Sequence, residues 1–378
     1  MVPAMSLNGY VRPDGRVGFR NNVVILPLVG CVGDIARRIA DRLDGAVALV
    51  HPHGCELDGP DADYLSLQME RLLVHPNVGG VILVTMACGA TNRFGLAQKA
   101  GQAGKLVETV NFHRTGGTIK CVEAGAEIGA KMLAKLGEQP RQALDMSALI
   151  LGTKCGSSDA TSFDVLHKVT GSVCDRLVDE QATVVLGEDY ELVPDIENLA
   201  KRGVNPRVRS DILRIGSDLE ASLRKRHNTE PSWTEEVRAG SAKHAAKAGT
   251  KPIQEVIPLE GMIEGPGLVV HNGPNSDLIS VTTLAAAGCN MLLFTTGRGT
   301  PVGGPLPTVK VTANRKTEQW MTENIDVGVA DVTEGKISAQ EGAQRIYDAL
   351  VRHANGEPTK AERLRHTEIQ FHIKGVTF

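Results

Sequence analysis

The chain has 378 residues, with 41 Lys and Arg against 44 Asp and Glu and a formal net charge of −3. Its basic residues are interspersed with acidic ones, so it carries no electrostatic footprint for nucleic acid. The amino terminus, MVPAMSLNGYVRPDGR, has no apolar core of signal-peptide length, no stretch is long enough to span a bilayer, and seven cysteines come without a secretory pattern. The expectation is a soluble, cytoplasmic protein with reduced thiols rather than a disulfide framework.

At 42% hydrophobic residues the chain can build real cores in two domains. With 3% aromatics and 41 glycines, these cores must rest on aliphatic side chains and close backbone approach. In chain order, strands are expected near 22–29, 47–50, 78–85 and 106–111, separated by helices at 34–43, 61–73, 92–100 and 118–136. The polar stretch Gly137–Asp145, which contains Pro140, sets the boundary between a first domain, residues 1–140, and a second, residues 141–378. The second restarts with a strand at 147–153, a helix at 159–179, a strand at 183–186 and a helix from about Val193. Residues 208–248 are highly charged and helical, with Ile212, Leu213, Ile215, Leu219 and Leu223 as a narrow apolar stripe. This predicts a helical insertion packed over the sheet or held at a subunit contact. Strand-and-helix character returns over 267–312, with Ile325–Gly328 as a last short strand. The helix Ser338–His353 opens on the capping-box pattern Ser338-Ala339-Gln340-Glu341, and Glu368–Phe378 is expected to add an edge strand. The fold class is therefore α/β: two Rossmann-like parallel-sheet domains, the second carrying the helical excursion.

Open α/β sheets bind ligands beyond the carboxyl ends of their strands. Three strand-like runs end in a cysteine among small residues, Val23–Cys31, Val81–Cys88 and Ala148–Cys155, and a fourth, Val47–Cys55, ends in HPHGC. Cys55, Cys88 and Cys155, with His53, are the candidate metal ligands, because thiolate and imidazole suit iron or zinc and suit magnesium badly. Spacing leaves both a mononuclear divalent ion and an iron–sulfur cluster open. Cys121, Cys174 and Cys289 lie in helix-like or apolar stretches and are assigned to packing.

The turns in GCVGDIARRIA, ACGATNRFGLA and KCGSSDATSFDV carry glycine and lead into helix amino termini, which favour a small anionic ligand. None has the G-x-G-x-x-G spacing of a dinucleotide site. In LLFTTGRGTPVGGP (Leu292–Pro305), Thr296, Gly297 and Arg298 form a candidate carboxylate clamp, with Arg16 and Asn21 from a polar glycine-containing block as additions. For acid–base work Lys154 is the first candidate, with a pKa expected to fall if the group is desolvated beside a metal. Asp159 and Glu188 stand in reserve, and His53 is an alternative base.

Five blocks, GYVRPDGRVGFRN (Gly9–Asn21), HPHGC (His51–Cys55), HPNVGGVILVTMACG (His75–Gly89), LGTKCGSSDA (Leu151–Ala160) and FTTGRGTPVGGP (Phe294–Pro305), resemble in order and spacing the catalytic carboxyl-terminal portion of the altronate/galactarate dehydratase family. The resemblance covers nearly the whole chain. It implies a lyase that removes water from a sugar acid with a divalent metal, commonly iron. The family also includes the large subunit of a sulfolactate sulfo-lyase, which expels sulfite by a similar β-elimination. The chain begins directly at the Gly-Tyr-x-Arg block, where single-chain relatives carry a further amino-terminal domain, so it looks like a large subunit with a separate small partner. ACGAT (Ala87–Thr91), LGEDYEL (Leu186–Leu192) and VVHNGPNSD (Val269–Asp277) depart from the family pattern. Three readings follow: a metal-dependent hydro-lyase on a hydroxy-carboxylate, a sulfo-lyase, and a catalytically silent ligand-binding or assembly subunit. A homo-oligomer is expected by base rate.

Overall fold

Runs rich in Val, Ile and Leu form strands buried on both faces, which is how a parallel sheet covered by helices reads in sequence. The computed structural model describes residues 6–86, 95–227 and 231–373. Strands β1 (Leu7–Val11), β2 (Val17–Gly18), β3 (Asn22–Pro27), β4 (Ala46–Ala48), β5 (Val78–Thr85) and β6 (Leu106–Asn111) come first. They are followed by β7 (Gln142–Leu144), β8 (Ile150–Gly156), β9 (Thr183–Leu186) and β10 (Ile253–Ile257). The chain ends its strands with β11 (Gly267–His271), β12 (Met291–Thr296), β13 (Thr308–Thr312) and β14 (Val327–Gly328).

These strands make two parallel sheets and one small antiparallel one. The first parallel sheet has the order β4-β3-β5-β6, and the second β10-β11-β9-β8-β12-β13-β14. In β5 every residue is buried. The helices Gly33–Ala40 and Thr118–Gly137 cover one face of the first sheet through Ile35, Ile39, Val122 and Met132. On its other face the helix Gly59–Leu73 packs against the helix Asp277–Ala287 from the second half, and one apolar cluster runs from Val24 and Leu26 to Val269, Leu292 and Phe294. From Ile279 to Ala287 that second helix is buried all round, as its Ile, Val, Leu and Ala content demands.

The two halves are also joined by polar groups. β1 pairs antiparallel with β2 and with β7, so the small sheet bridges the Pro140 stretch. Buried Asn77 accepts from Phe19 N at 2.7 Å and donates to Asn290 O at 2.9 Å, while Asn290 accepts from Ile150 N and donates to Ala148 O and Val17 O. Each buried amide is thus satisfied, which is what makes such a joint stable rather than costly.

The charged segment forms the helices Pro206–His227 and Glu235–Ala245. Ile212 and Ile215 enter the core of the second sheet, but Leu213 is 44% exposed, so the stripe is narrower than the sequence pattern implied. The third helix of the first half starts at Leu96, and residues 92–94 of the expected helix lie outside the described residues. Residues 368–373 form no strand. There the tail is held by side chains instead: Gln68 pairs with both backbone groups of His372, and Thr367 donates to Ala48 O. Among the described residues no helix is long and apolar enough to cross a membrane.

Candidate active site

The strand order of the second sheet reverses direction around β8, with β9 on one side and β12 on the other, and crevices of this kind receive ligands in open α/β sheets. Cys155 lies near the carboxyl end of β8, directly opposite Thr295 of β12, with Gly156 opposite Thr296. Glu188 follows β9, and His244 arrives from the helix Glu235–Ala245. The ligand atoms of Cys155, Glu188 and His244 all lie within 4.8 Å of one another and all three residues are buried; no other group of three such side chains occurs among the described residues. Cys155 Sγ is 3.6 Å from His244 Nδ1, and Glu188 Oε2 is 3.3 Å from His244 Nε2 and accepts from Cys155 N at 3.1 Å. Glu188 adopts φ +74°, and Ser157, two residues past Cys155, φ +50°. Left-handed backbone at non-glycine residues costs on the order of 1 kcal/mol or more and concentrates at functional sites.

Two ammonium groups complete the cluster. Lys247 bonds to Glu188 and lies 2.5 Å from His244 Nε2. Lys154 bonds to Glu188, to Asp277 Oδ1 at 2.9 Å, to Asn275 O at 2.9 Å and to Cys155 O at 2.7 Å. Burial works against the Glu188 carboxylate, but Lys154, Lys247 and His244 more than offset it and hold its pKa well below the usual range. Burial and Glu188 oppose a Cys155 thiolate, yet His244 and Lys247 prevail and its pKa falls. For His244, burial and Lys247 oppose the charge, while Cys155 and Glu188 raise the pKa. Sulfur, nitrogen and carboxylate oxygen in a buried group form a donor set that fits iron or zinc.

Lys154 differs from expectation. Burial lowers its pKa, but the Glu188 and Asp277 carboxylates outweigh burial and raise it above the ordinary ammonium value. Asp159 is also occupied: Oδ1 accepts from Thr161 Oγ1 at 2.6 Å and from Ser162 N at 3.2 Å, and Oδ2 from Asn314 Nδ2 at 2.7 Å. Gly297 packs directly on that carboxyl, since a Cβ there would sit 2.4 Å from Asp159 Cγ. Thr296 Oγ1 accepts from Gly299 N, Arg298 N donates to Ser157 O, and the Arg298 side chain is exposed with no hydrogen bond or ion pair among the described residues. Lys154, Cys155, Asp159, Glu188, Thr296, Gly297 and Arg298 therefore share the carboxyl edge of the second sheet.

The remaining candidates lie elsewhere. Arg16 pairs with Asp14 and donates to Val74 O, and Asn21 accepts from Arg12 and donates to Leu136 O, so both are engaged in holding the amino-terminal block. His53 pairs with Glu56, Cys55 and Cys31 are exposed, and neither His53 nor Cys55 joins the buried group of ligands. Cys88 lies outside the described residues. Among the described residues the thiols do not gather: Cys121, Cys174 and Cys289 are fully buried as packing residues, and of these cysteines only Cys155 is buried at a strand end.

Sequence reasoning missed His244, Lys247 and Asp277. The first two fall three residues apart in the charged segment that reads as a packing excursion, and only their i, i+3 spacing could have drawn attention to them. It also missed His167, which follows a single π-helical turn over Ser162–Leu166, a feature frequent at functional sites. His167 Nδ1 donates to Lys243 O, Nε2 faces Thr295 Oγ1 at 3.2 Å, and burial, with Lys247, pushes its pKa down to about 4. A cavity of about 820 Å³ lies away from the triad, between β4 and the segment Arg363–Ile369, and none of the three ligands lines it.

Residues 9–137 match the model of the D-galactarate dehydratase/altronate hydrolase second domain, and residues 146–377 that of the D-galactarate/altronate dehydratase C-terminal domain. The chain is 30% identical over 373 residues to the (2R)-sulfolactate sulfo-lyase subunit beta of Chromohalobacter salexigens, covering 95% of both chains. It is 28% identical over 394 residues to the altronate dehydratase of Bacillus subtilis, covering 98% of this chain and 78% of the relative. To the galactarate dehydratase (L-threo-forming) of Escherichia coli it is 26% identical over 382 residues, covering 93% and 73%. With matched domains over most of its length and a buried polar cluster at the carboxyl edge of the larger sheet, the chain belongs to the D-galactarate/altronate dehydratase family of lyases.

Proposed function

We propose that the chain is a metal-dependent lyase that eliminates water from a hydroxylated sugar acid. The buried Cys155, Glu188 and His244 group carries this reading, because it offers three different donor atoms at the strand ends where open α/β sheets bind ligands. A divalent ion held there, iron in this reading, supplies Lewis acidity toward an oxygen of the substrate. Around it the chain's own residues orient an anionic substrate. Arg298 is a guanidinium without a partner among the described residues, on a loop that the Asp159 carboxyl and Ser157 carbonyl hold in place, and it suits a carboxylate. Ser158 Oγ and Asn275 Oδ1, buried atoms without a hydrogen-bond partner among the described residues, suit substrate hydroxyls. Lys154 and Lys247 keep Glu188 ionised and ready to serve as a ligand.

One observation favours a second reading. The sulfolactate sulfo-lyase subunit beta is 30% identical and matched over 95% of its length, against 28% and 26% identity for the altronate and galactarate dehydratases of Bacillus subtilis and Escherichia coli. In that reading the chain is a large subunit working beside a separate small one, and sulfite rather than water leaves. Both readings allow a homo-oligomeric assembly in solution.

The test is anaerobic purification, iron loading and metal analysis of the parent chain and of Cys155→Ser, Glu188→Gln and His244→Ala. Altronate, galactarate and (2R)-sulfolactate are then assayed for elimination. Stoichiometric iron in the parent, its loss from all three variants and water elimination from a sugar acid support the first reading. Sulfite release from sulfolactate alone moves the assignment to the second. A parent chain that binds no metal and turns over none of the three refutes both.

A further inference from the structure

We infer that Asp277 is the base that removes the proton α to the substrate carboxylate. The inference rests on the lyase reading and goes beyond it by naming a residue that the sequence did not single out. Of the groups near the triad that could take a proton, His167 is fully buried with Nδ1 on Lys243 O and Nε2 facing Thr295 Oγ1, and Glu188, Asp159 and Lys154 are occupied as well. Both Glu188 oxygens are engaged, by Lys154, Lys247 and Cys155 N, and the side chain is 2% exposed. Asp159 accepts from Thr161, Ser162 and Asn314 through both of its oxygens. Lys154 donates to Glu188, Asn275 O and Cys155 O, which uses all three of its N–H groups and leaves no lone pair.

Asp277 differs from these. It opens the helix Asp277–Ala287 just beyond β11, its side chain is 31% exposed, and its Oδ1 is fixed by Lys154 at 2.9 Å. Its Oδ2 accepts no hydrogen bond among the described residues and lies over the Gly156 backbone, where a Cβ would approach it to 2.7 Å. A glycine at 156, next to Cys155, is therefore what leaves room for this carboxylate. The fixed oxygen sets the orientation, and the free oxygen lies against Gly156, the residue after Cys155.

In the step, the α C–H bond breaks and its proton passes to Asp277 Oδ2. The electron pair enters the bond between the α and β carbons as the β carbon–oxygen bond breaks. The departing hydroxide takes the proton back, so water leaves and the carboxylate is restored. With sulfolactate the leaving group is sulfite, and Asp277 returns its proton to solvent.

The experiment compares the iron-loaded parent chain with Asp277→Ala and Asp277→Asn on altronate, galactarate and (2R)-sulfolactate, with and without added formate. Both variants are expected to keep their iron and KM while kcat falls about 100-fold or more, the loss typical of a missing general base. Formate should restore turnover to Asp277→Ala, where it fits the vacated space, and leave Asp277→Asn unchanged. Asp277→Asn, which keeps the side-chain volume, guards against a folding defect in the alanine variant. Retained kcat in both variants overturns the assignment, as does lost iron or a loss in Asp277→Ala that formate does not restore. A parent chain inert on all three compounds overturns the lyase reading itself, and the assignment falls with it.

Discussion

Replacing Glu188 with Gln removes one charge from a buried site while preserving its shape. The carboxylate bonds to Lys154 and Lys247, lies 3.3 Å from His244 Nε2 and accepts from Cys155 N at 3.1 Å. Gln keeps an acceptor for Cys155 N but faces two ammonium groups with no compensating charge. Lys154 retains Asp277 at 2.9 Å; Lys247 loses its only salt bridge among the described residues. Removing one partner of a buried pair costs about 3–5 kcal/mol, mostly from the charge left behind. At about 1.3 °C per kcal/mol for a chain of this size, the melting midpoint of metal-free protein should fall by about 4–6 °C. Adding Lys247→Met should return at least half of that loss, because the stranded ammonium is then gone. The assay is urea and thermal unfolding of the parent, both single variants and the double variant, all stripped with chelator. A Glu188→Gln penalty below about 1 kcal/mol, or a double variant whose loss equals the sum of the singles, would falsify the claim that this cluster is an electrostatically coupled unit.

Two further outcomes follow from the same geometry. His51, His75 and His271 are buried, and burial lowers their pKa values from 6.5 to about 4, 3 and 4, so the unfolded chain binds protons that the folded one refuses. Their contribution is complete above about pH 6.5 and is lost as pH falls toward 4, at about 1.4 kcal/mol per pH unit each, or about 4 kcal/mol between pH 5.5 and 4.5; urea midpoints that stay level over that interval would contradict it. Gly297→Ala places a methyl 2.4 Å from Asp159 Cγ and should cost about 1–3 kcal/mol while displacing Arg298. The expected signature is a raised KM at unchanged iron content, and an unaltered KM with normal stability would show that the loop does not depend on that contact.

The alternation of apolar runs and helical patterns was enough to place most strands, because a strand buried on both faces leaves a continuous signal such as VGGVILVT in β5. β10 was missed, since IQEVI carries two polar residues and reads as part of the charged segment before it. The capping box at Ser338 and Glu341 formed as its spacing indicates, because both partners lie within one turn. Half of the site was equally local: Lys154, Cys155, Thr296, Gly297 and Arg298 sit at strand ends that sequence can locate. His244 and Asp277 could not be read this way. They come from different parts of the chain: the parallel pairing of β8 with β9 and of β9 with β11 brings Asp277 alongside Cys155, and His244 arrives through the packing of the helix Glu235–Ala245 on the helices Asp189–Leu192 and His167–Asp179.

The cysteines show why residue type alone was a weak guide. Four thiols follow apolar runs, yet the end of a run is a ligand position only if the strand reaches that far. β3 stops at Pro27, four residues before Cys31, and β4 stops at Ala48, seven before Cys55, so both thiols fall on exposed turns. β8 continues through Cys155, which carries the thiol into the sheet edge beneath Glu188 and His244. The polar Gly9–Asn21 block was misread for a related reason. Arg16 and Asn21 are candidates for the clamp in sequence because no core pattern explains them, but Arg16 pairs with Asp14 and donates to Val74 O, and Asn21 accepts from Arg12 and donates to Leu136 O. A guanidinium so engaged positions chain segments, whereas one at a strand end without partners among the described residues, as Arg298 is, remains available to an anion.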